Sequence, residues 1–224
     1  MSKPAHISPY HAPNFYSDAL AQGRHRDIVG GRWEETGLIQ MQILLDQGLD
    51  PHHHLLDIGA GSLRLGCRAL PYLNAGHYWA TDLSGDLMRA GHACELADPS
   101  RLPLQNLIED AEFSFNGVPQ TITHAIAFAV FTHLPMNHLR RALLSLRAAC
   151  PKLEMLLLTV FLAPDDRYLT PFRQPDGVVT HAARAPYHML REDVAHLLAA
   201  SGYEAEFLPT ELPRGQVLIK ALPL

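Results

Sequence analysis

Leu55-Leu56-Asp57-Ile58-Gly59-Ala60-Gly61-Ser62-Leu63-Arg64-Leu65-Gly66 is the stretch that decides the fold of this 224-residue chain. An apolar run of strand length leads into a glycine turn and then into helical spacing, an arrangement that offers backbone N–H groups at a helix N-terminus to a ligand. A dinucleotide fingerprint would need glycine at position 64, where the chain has Arg64, and Asp57 at the strand tip would repel a pyrophosphate. A nicotinamide or flavin dinucleotide is therefore disfavoured. An acid just ahead of the glycines suits a ligand that brings an ammonium or sulfonium charge.

Outward from this stretch, apolar runs of strand length alternate with helical patterns. HLLDIG is followed by a helix over Ser62 to Pro71, and HYWATD by one over Ser84 to Leu96. NLIED, then THAIAFAVF with a helix over Met136 to Cys150, then KLEMLLLTVFLA and a helix over Arg191 to Ser201 continue the series. Such alternation signals βαβ units. Tyr203 to Leu208 and Gln216 to Ala221 are two further strands, and the short LPTELPRG connection between them permits only antiparallel pairing. The expected class is α/β: a Rossmann-like, doubly wound, mostly parallel seven-stranded sheet ending in an antiparallel hairpin. Leu139, Leu143, Leu146 and Cys150 form the buried stripe of the helix after the fourth strand, leaving Arg140, Arg141 and Arg147 solvated. Upstream, Trp33 to Gln47 reads as a helix with Leu38, Met41, Leu44 and Leu45 on one face and Gly48 as its stop. Residues 1–32, with Pro4, Pro9, Pro13, Tyr10, Phe15 and Tyr16, are expected to be an N-terminal arm or helical cap, and residues 33–224 one domain.

Eighteen Lys+Arg against 23 Asp+Glu give a net charge of −5, without the basic excess that tracking a phosphate backbone needs. Nucleic acid is excluded as an expected partner. The longest apolar stretch, Met155 to Ala163, is less than half of the ~20 residues that span a bilayer, and MSKPAHISPY lacks the apolar core of a leader. No membrane association and a cytoplasmic location are expected; the oligomeric state stays open. Cys67, Cys94 and Cys150 have no metal or disulfide spacing and read as reduced thiols.

Twenty-odd residues beyond the glycines, Tyr78-Trp79-Ala80-Thr81 ends in Asp82, where a carboxylate can accept both hydroxyls of a ribose. Ammonium, sulfonium and nucleoside sugar occur together in S-adenosylmethionine. With these residues in view the sequence resembles the class I S-adenosylmethionine-dependent methyltransferases, in particular the small single-domain members acting on metabolites. LLDIGAG resembles that family's first motif, TDLS its second, NLIED its third, and AVFTHLP a stretch after its fourth strand; the likeness covers roughly residues 30 to 222. Leu63 stands where many members have a third glycine, and Ile122-Thr123 where many have Phe-Asp. The resemblance implies S-adenosyl-L-methionine as cofactor, with Asp57, Gly59 and Gly61 around its amino-acid part and Asp82 on the ribose. It further implies Leu83 on the adenine face, Glu109 or Asp110 near the adenine amine, and Trp33 and Phe128 as flanking contacts.

Methyl transfer from a sulfonium is an in-line displacement in which positioning is the protein's main contribution. An oxygen or nitrogen acceptor that must lose a proton directs attention to histidine. Among 14 histidines, His133 in FTHLP and His188 in APYHML are the catalytic candidates. Expected substrate contacts are Tyr16, His25, Ala129, Tyr168, Phe172 and His188, drawn from the arm, the fourth strand's tip and an irregular segment after the fifth strand. His52-His53-His54 reads as a polar turn without a ligating partner at suitable spacing, and no metal is expected. The function expected is methylation of a small molecule. Alternatives are a non-catalytic S-adenosylmethionine-binding domain, a protein methyltransferase, and, least favoured, an NAD(P)-dependent oxidoreductase.

Overall fold

The computed structural model describes residues 7–224; Pro4 and the rest of the first six positions of the expected arm lie outside the described residues. The chain divides into two compact units. One comprises Tyr16–Ile126 and Leu146–Glu154, the other the residues through Phe15 with Ala127–Ser145 and Met155–Leu224.

The first unit opens with most of α1 (Phe15–Ala21) and α2 (Trp33–Asp46), continues through β1 (Leu55–Ile58), α3 (Gly66–Tyr72), β2 (Tyr78–Asp82), α4 (Gly85–Glu95) and β3 (Leu107–Glu109), and takes in all but the last residue of β4 (His124–Ala127). Strand pairing is parallel throughout: β1 lies between β2 and β4, and β3 is beyond β2. All four residues of β1 are buried, which is why LLDI reads as a continuous run and not as an alternating one. Ser84 caps α4, its hydroxyl accepting the Leu87 N–H at 3.2 Å. The helix expected from Ser62 begins only at Gly66, because Leu63 takes the left-handed conformation, φ +64°, that ends any helix running through it. α4 passes so close to this turn that a Cβ on Gly91 would lie 2.1 Å from the Ser62 carbonyl oxygen.

The expected apolar face of α2 is corrected. Leu38 is 61% exposed, and the buried positions are Trp33, Thr36, Gly37, Gln40, Ile43 and Leu44. The reason is the neighbour: Arg68 lies against Gly37, and Arg64 Nε donates to Gln40 Oε1 at 3.3 Å, so this face is built to meet arginines.

The second unit holds most of α5 (Met136–Ala149), then β5 (Met155–Leu162), β6 (Phe172–Arg173), β7 (Val179–Thr180), β8 (His188–Met189), α6 (Arg191–Ala200), β9 (Tyr203–Leu208) and β10 (Val217–Pro223). β10 is antiparallel to both β5 and β9, the hairpin read from the sequence. Leu139, Leu143, Leu146 and Cys150 are all buried, as expected. The segment after β5 is more ordered than its prolines suggested: β6 and β7 pair antiparallel and β8 adds to β5 in parallel. Gln174 pins this segment, its Nε2 donating to Leu162 O and to Thr180 Oγ1, each at 3.0 Å. The class is α/β, mostly parallel with antiparallel strands near the C-terminus; beyond the seven expected strands there are the short β6, β7 and β8. Among the described residues the three cysteines are free, and no helix is long and apolar enough to cross a membrane.

Candidate functional site

Parallel pairing brings the C-terminal tips of β1 and β2 together, and each tip carries a buried acid. Asp57 is 2% exposed and accepts the Tyr78 hydroxyl at 2.6 Å. Burial pushes its carboxyl from 3.8 up to about 7, with the Tyr78 hydrogen bond opposing and the nearby Asp82 charge adding. Asp82 accepts the Gly61 N–H on one oxygen and the Ser84 N–H on the other, both at 2.9 Å; burial outweighs these bonds and lifts it to about 6. Two carboxylates held this far from water, beside one another, form a place where a cation is wanted.

Gly59 and Gly61 have φ of +73° and +57°, conformations that favour glycine. The turn's amides are largely used within the protein: Gly59 and Ala60 N–H donate to Thr81 O, and Leu63 N–H donates to Ala60 O. Its offer to a ligand is thus charge and close backbone approach more than free donors. The chain ahead of α2 is tied across this turn. Ser62 Oγ donates to His25 O at 2.9 Å, Arg64 Nη1 donates to Val29 O and Gly31 O at 3.0 and 3.2 Å, and a Cβ on Gly61 would meet Val29 Cγ1 at 2.6 Å. Arg64, a departure from the dinucleotide pattern, is thereby explained as a fastening for the arm.

The remaining expected cofactor contacts are placed as follows. Glu109 accepts the Gly85 N–H at 2.9 Å, next to Asp82. Asp110 is engaged by its own loop, accepting N–H groups of Glu112, Ser114 and Phe115 at 3.1, 3.0 and 2.7 Å. Glu109 is exposed and holds one of these bonds, so it is the freer of the two acids. Leu83 is half-buried between Asp82 and the Ser84 cap. Trp33 is buried at the start of α2, with the Arg26 guanidinium 5.1 Å from its ring centre. His25, expected at substrate, instead bonds Glu95 through Nε2 at 2.6 Å, and Arg26 makes two further bonds to that carboxylate. Tyr16 is half-buried in α1.

In the second unit Phe128 is buried and Ala129 has φ +60°, its N–H donating to Thr159 Oγ1 at 2.8 Å. His133 meets the Tyr10 ring edge to face at 5.0 Å, and Tyr10 meets Phe15 likewise at 5.3 Å. Burial, with Arg214 nearby, pushes His133 down to about 4, so the imidazole is neutral at physiological pH and a weak base. Tyr168, Phe172 and His188 come together, with ring centres 5.8 and 6.4 Å from His188. His188 is 1% exposed, bonded through Nδ1 to Thr180 Oγ1 at 2.9 Å and through Nε2 to Tyr168 O at 2.7 Å. It has no nitrogen left for proton transfer; its geometry is that of a strut within the β8 region. The Tyr78 phenol on Asp57 was not anticipated from sequence, since a buried aromatic at a strand start reads simply as core.

No protein-family model matches the sequence, and no curated protein does. Solved structures are similar in fold. The 1,6-didemethyltoxoflavin-N1-methyltransferase of Burkholderia thailandensis, solved with 1,6-didemethyltoxoflavin and S-adenosylhomocysteine, is 17% identical with a TM-score of 0.63, over 100% of this chain and 93% of that one. Magnesium protoporphyrin IX methyltransferase of Synechocystis PCC 6803, solved with S-adenosylhomocysteine, is 15% identical with a TM-score of 0.62, over 93% and 97%. The glycopeptide N-methyltransferase MtfA is 16% identical with a TM-score of 0.59, over 84% and 90%. This chain thus has the Rossmann-like fold found in those methyltransferases.

Proposed function

We propose that the protein is an S-adenosylmethionine-dependent methyltransferase that methylates an oxygen or nitrogen of a small organic molecule. One observation carries this reading: two buried carboxylates, Asp57 and Asp82, at adjacent parallel strand tips flank a glycine turn, and both are raised by burial. The donor set fits the cofactor. A buried acid held near neutrality is stabilised by an ammonium, and Asp82 keeps acceptor capacity beyond its two backbone bonds for the ribose hydroxyls. The bound cofactor supplies the reactive sulfonium methyl group. Asp57 would then orient the amino-acid end, Asp82 would fix the sugar, and Glu109 would accept from the adenine amine.

Tyr10, Phe15 and His133 supply an aromatic wall suited to a flat acceptor, and two of the structural neighbours named above act on flat heterocycles by their names. A His133 with so low a proton affinity accepts a hydrogen bond from an acceptor and orients it, and the acceptor's proton passes to solvent water. Catalysis is then positioning, with effective-concentration gains of up to ~7–11 kcal/mol.

The test is calorimetric binding of S-adenosylhomocysteine together with its release during turnover on a panel of phenols, carboxylates and amines. Native protein is expected to bind S-adenosylhomocysteine and not NADH, and Asp82→Asn to bind it roughly 10–100-fold more weakly, as for the loss of hydrogen bonds to a charged acceptor. Equal affinity in native protein and Asp82→Asn would refute the site. Tight binding without turnover on any acceptor would favour the non-catalytic alternative.

A further inference from the structure

The opposite edge of the first unit's parallel strands gathers imidazoles. His52, His53 and His54 precede β1, His77 precedes β2, and His124 opens β4. The His53 and His124 rings stack with centres 4.0 Å apart, and the ligating atoms of His53, His124 and Glu154 all lie within 4.8 Å of one another. Glu154 is anchored beside them by its own backbone, its N–H donating to Thr123 O at 2.7 Å. The trio comes from positions far apart in the chain, and parallel pairing of β1 with β4 brings its two histidines together.

The protonation pattern around His124 leaves it ready to ligate. The Thr123 hydroxyl receives the His54 N–H at 3.1 Å and donates to His54 O at 3.3 Å. With that hydroxyl proton on His54 O, its contact with His124 Nδ1 at 3.0 Å is one it accepts, which leaves the proton on Nδ1 and a lone pair on Nε2. A ring nitrogen whose partner nitrogen donates to an oxygen is the usual state of a metal-bound histidine.

We infer that His53, His124 and Glu154 bind one zinc ion at the N-terminal edge of the sheet, with water in the fourth position. Two imidazoles and one carboxylate suit a borderline transition ion; magnesium and calcium prefer all-oxygen sets. Bond lengths of ~2.0–2.2 Å space tetrahedral ligands ~3.3 Å apart, so the trio closes by up to about 1.5 Å from its present 4.8 Å limit. Glu154 is exposed and His53 half-exposed, which lets them make that movement. His53 turns out of the stack, because one ion cannot lie in the planes of two parallel rings. Its Nδ1 takes the proton and gives up the Asp50 N–H, now 3.0 Å away, at an exposed turn where water replaces it. The ion would staple the entries of β1 and β4 to the residue before β5, on the edge opposite Asp57 and Asp82, and its effect is on stability.

The experiment uses full-length protein without an affinity tag, stripped with a chelator and titrated with zinc chloride, with magnesium chloride as a second probe. Expected are one zinc per chain and a rise in melting temperature of about 5–10 °C at a hundredfold excess over the dissociation constant, with no response to magnesium. Glu154→Gln and His53→Gln, both at accessible positions, each weaken zinc binding at least tenfold while melting near the native temperature without metal. His77→Gln, a neighbouring imidazole outside the trio, binds zinc as the native chain does. Absence of a one-to-one zinc complex, or native-like zinc affinity in Glu154→Gln or His53→Gln, overturns the site.

Discussion

The proton on Asp57 gives the proposed cofactor site a measurable signature. Burial holds this carboxyl at about 7 in the folded protein against its ordinary 3.8, and Asp82 follows at about 6. Between about pH 4 and pH 7 the folded chain therefore keeps a proton that the unfolded chain has released. Stability of the ligand-free protein falls as pH rises through that window and levels above it. An ammonium placed beside Asp57 reverses the preference, because it favours the ionised carboxylate, so binding below pH 7 must expel the proton. With one proton displaced, the apparent dissociation constant for S-adenosylhomocysteine rises roughly tenfold per pH unit below 7, or about 100-fold by pH 5. Asp82 steepens the loss only below about pH 6. Calorimetry in two buffers of different ionisation enthalpy reads both the affinity and the proton, and release at about pH 6 should approach one proton per ligand. Asp57→Asn should flatten the upper part of the profile. An affinity constant from about pH 5 to about pH 8, with no proton exchanged, would refute the reasoning that a buried acid awaits a cation here.

Other predictions concern the turn and the second unit. Gly91→Ala drives a methyl group to 2.1 Å from the Ser62 carbonyl oxygen, backbone against backbone, and should cost ~1–3 kcal/mol or more, a melting point lower by about 2–12 °C in a thermal scan. It should also loosen S-adenosylhomocysteine binding, since the displaced atoms belong to the glycine turn. At Leu63, fully buried with φ +64°, truncation to Ala or Gly loses ~2–5 kcal/mol of packing, but only Gly relieves ~1–2 kcal/mol of backbone strain. Leu63→Gly should therefore melt above Leu63→Ala, the reverse of the usual order. His133→Ala should lower turnover on the true acceptor with S-adenosylhomocysteine affinity unchanged; undiminished turnover would remove His133 from the acceptor site.

The parallel strands of the first unit, the glycine turn and the terminal hairpin were legible because each is set by local pattern: continuous apolar runs for doubly buried parallel strands, and a short Pro/Gly connection for the hairpin. The positions of Asp57 and Asp82 near the ends of neighbouring strands were legible because the pairing of those strands follows from the βαβ rhythm. What was not legible depends on partners distant in sequence. The buried face of α2 follows Arg64 and Arg68, not its leucines. The both-sided bonding of His188 depends on a β6–β7 hairpin hidden among prolines. Spacing arguments set aside His53 for lack of a nearby acid, yet Glu154, about a hundred residues on, is beside it once β1 and β4 pair.

The fastening of the arm carries a consequence for how the cofactor comes and goes. Ser62 and Arg64, which hold His25, Val29 and Gly31, belong to the same turn that is proposed above to receive the ligand, and Val29 rests on Gly61 itself. Detachment of the arm and disorder of the turn are thus linked, and occupancy must shift both equilibria in the same direction. On the proposed function, trypsin cutting after Arg24 or Arg26 becomes a reporter of occupancy, expected to be slower with S-adenosylhomocysteine bound than without it; equal cutting rates would separate the arm from the site.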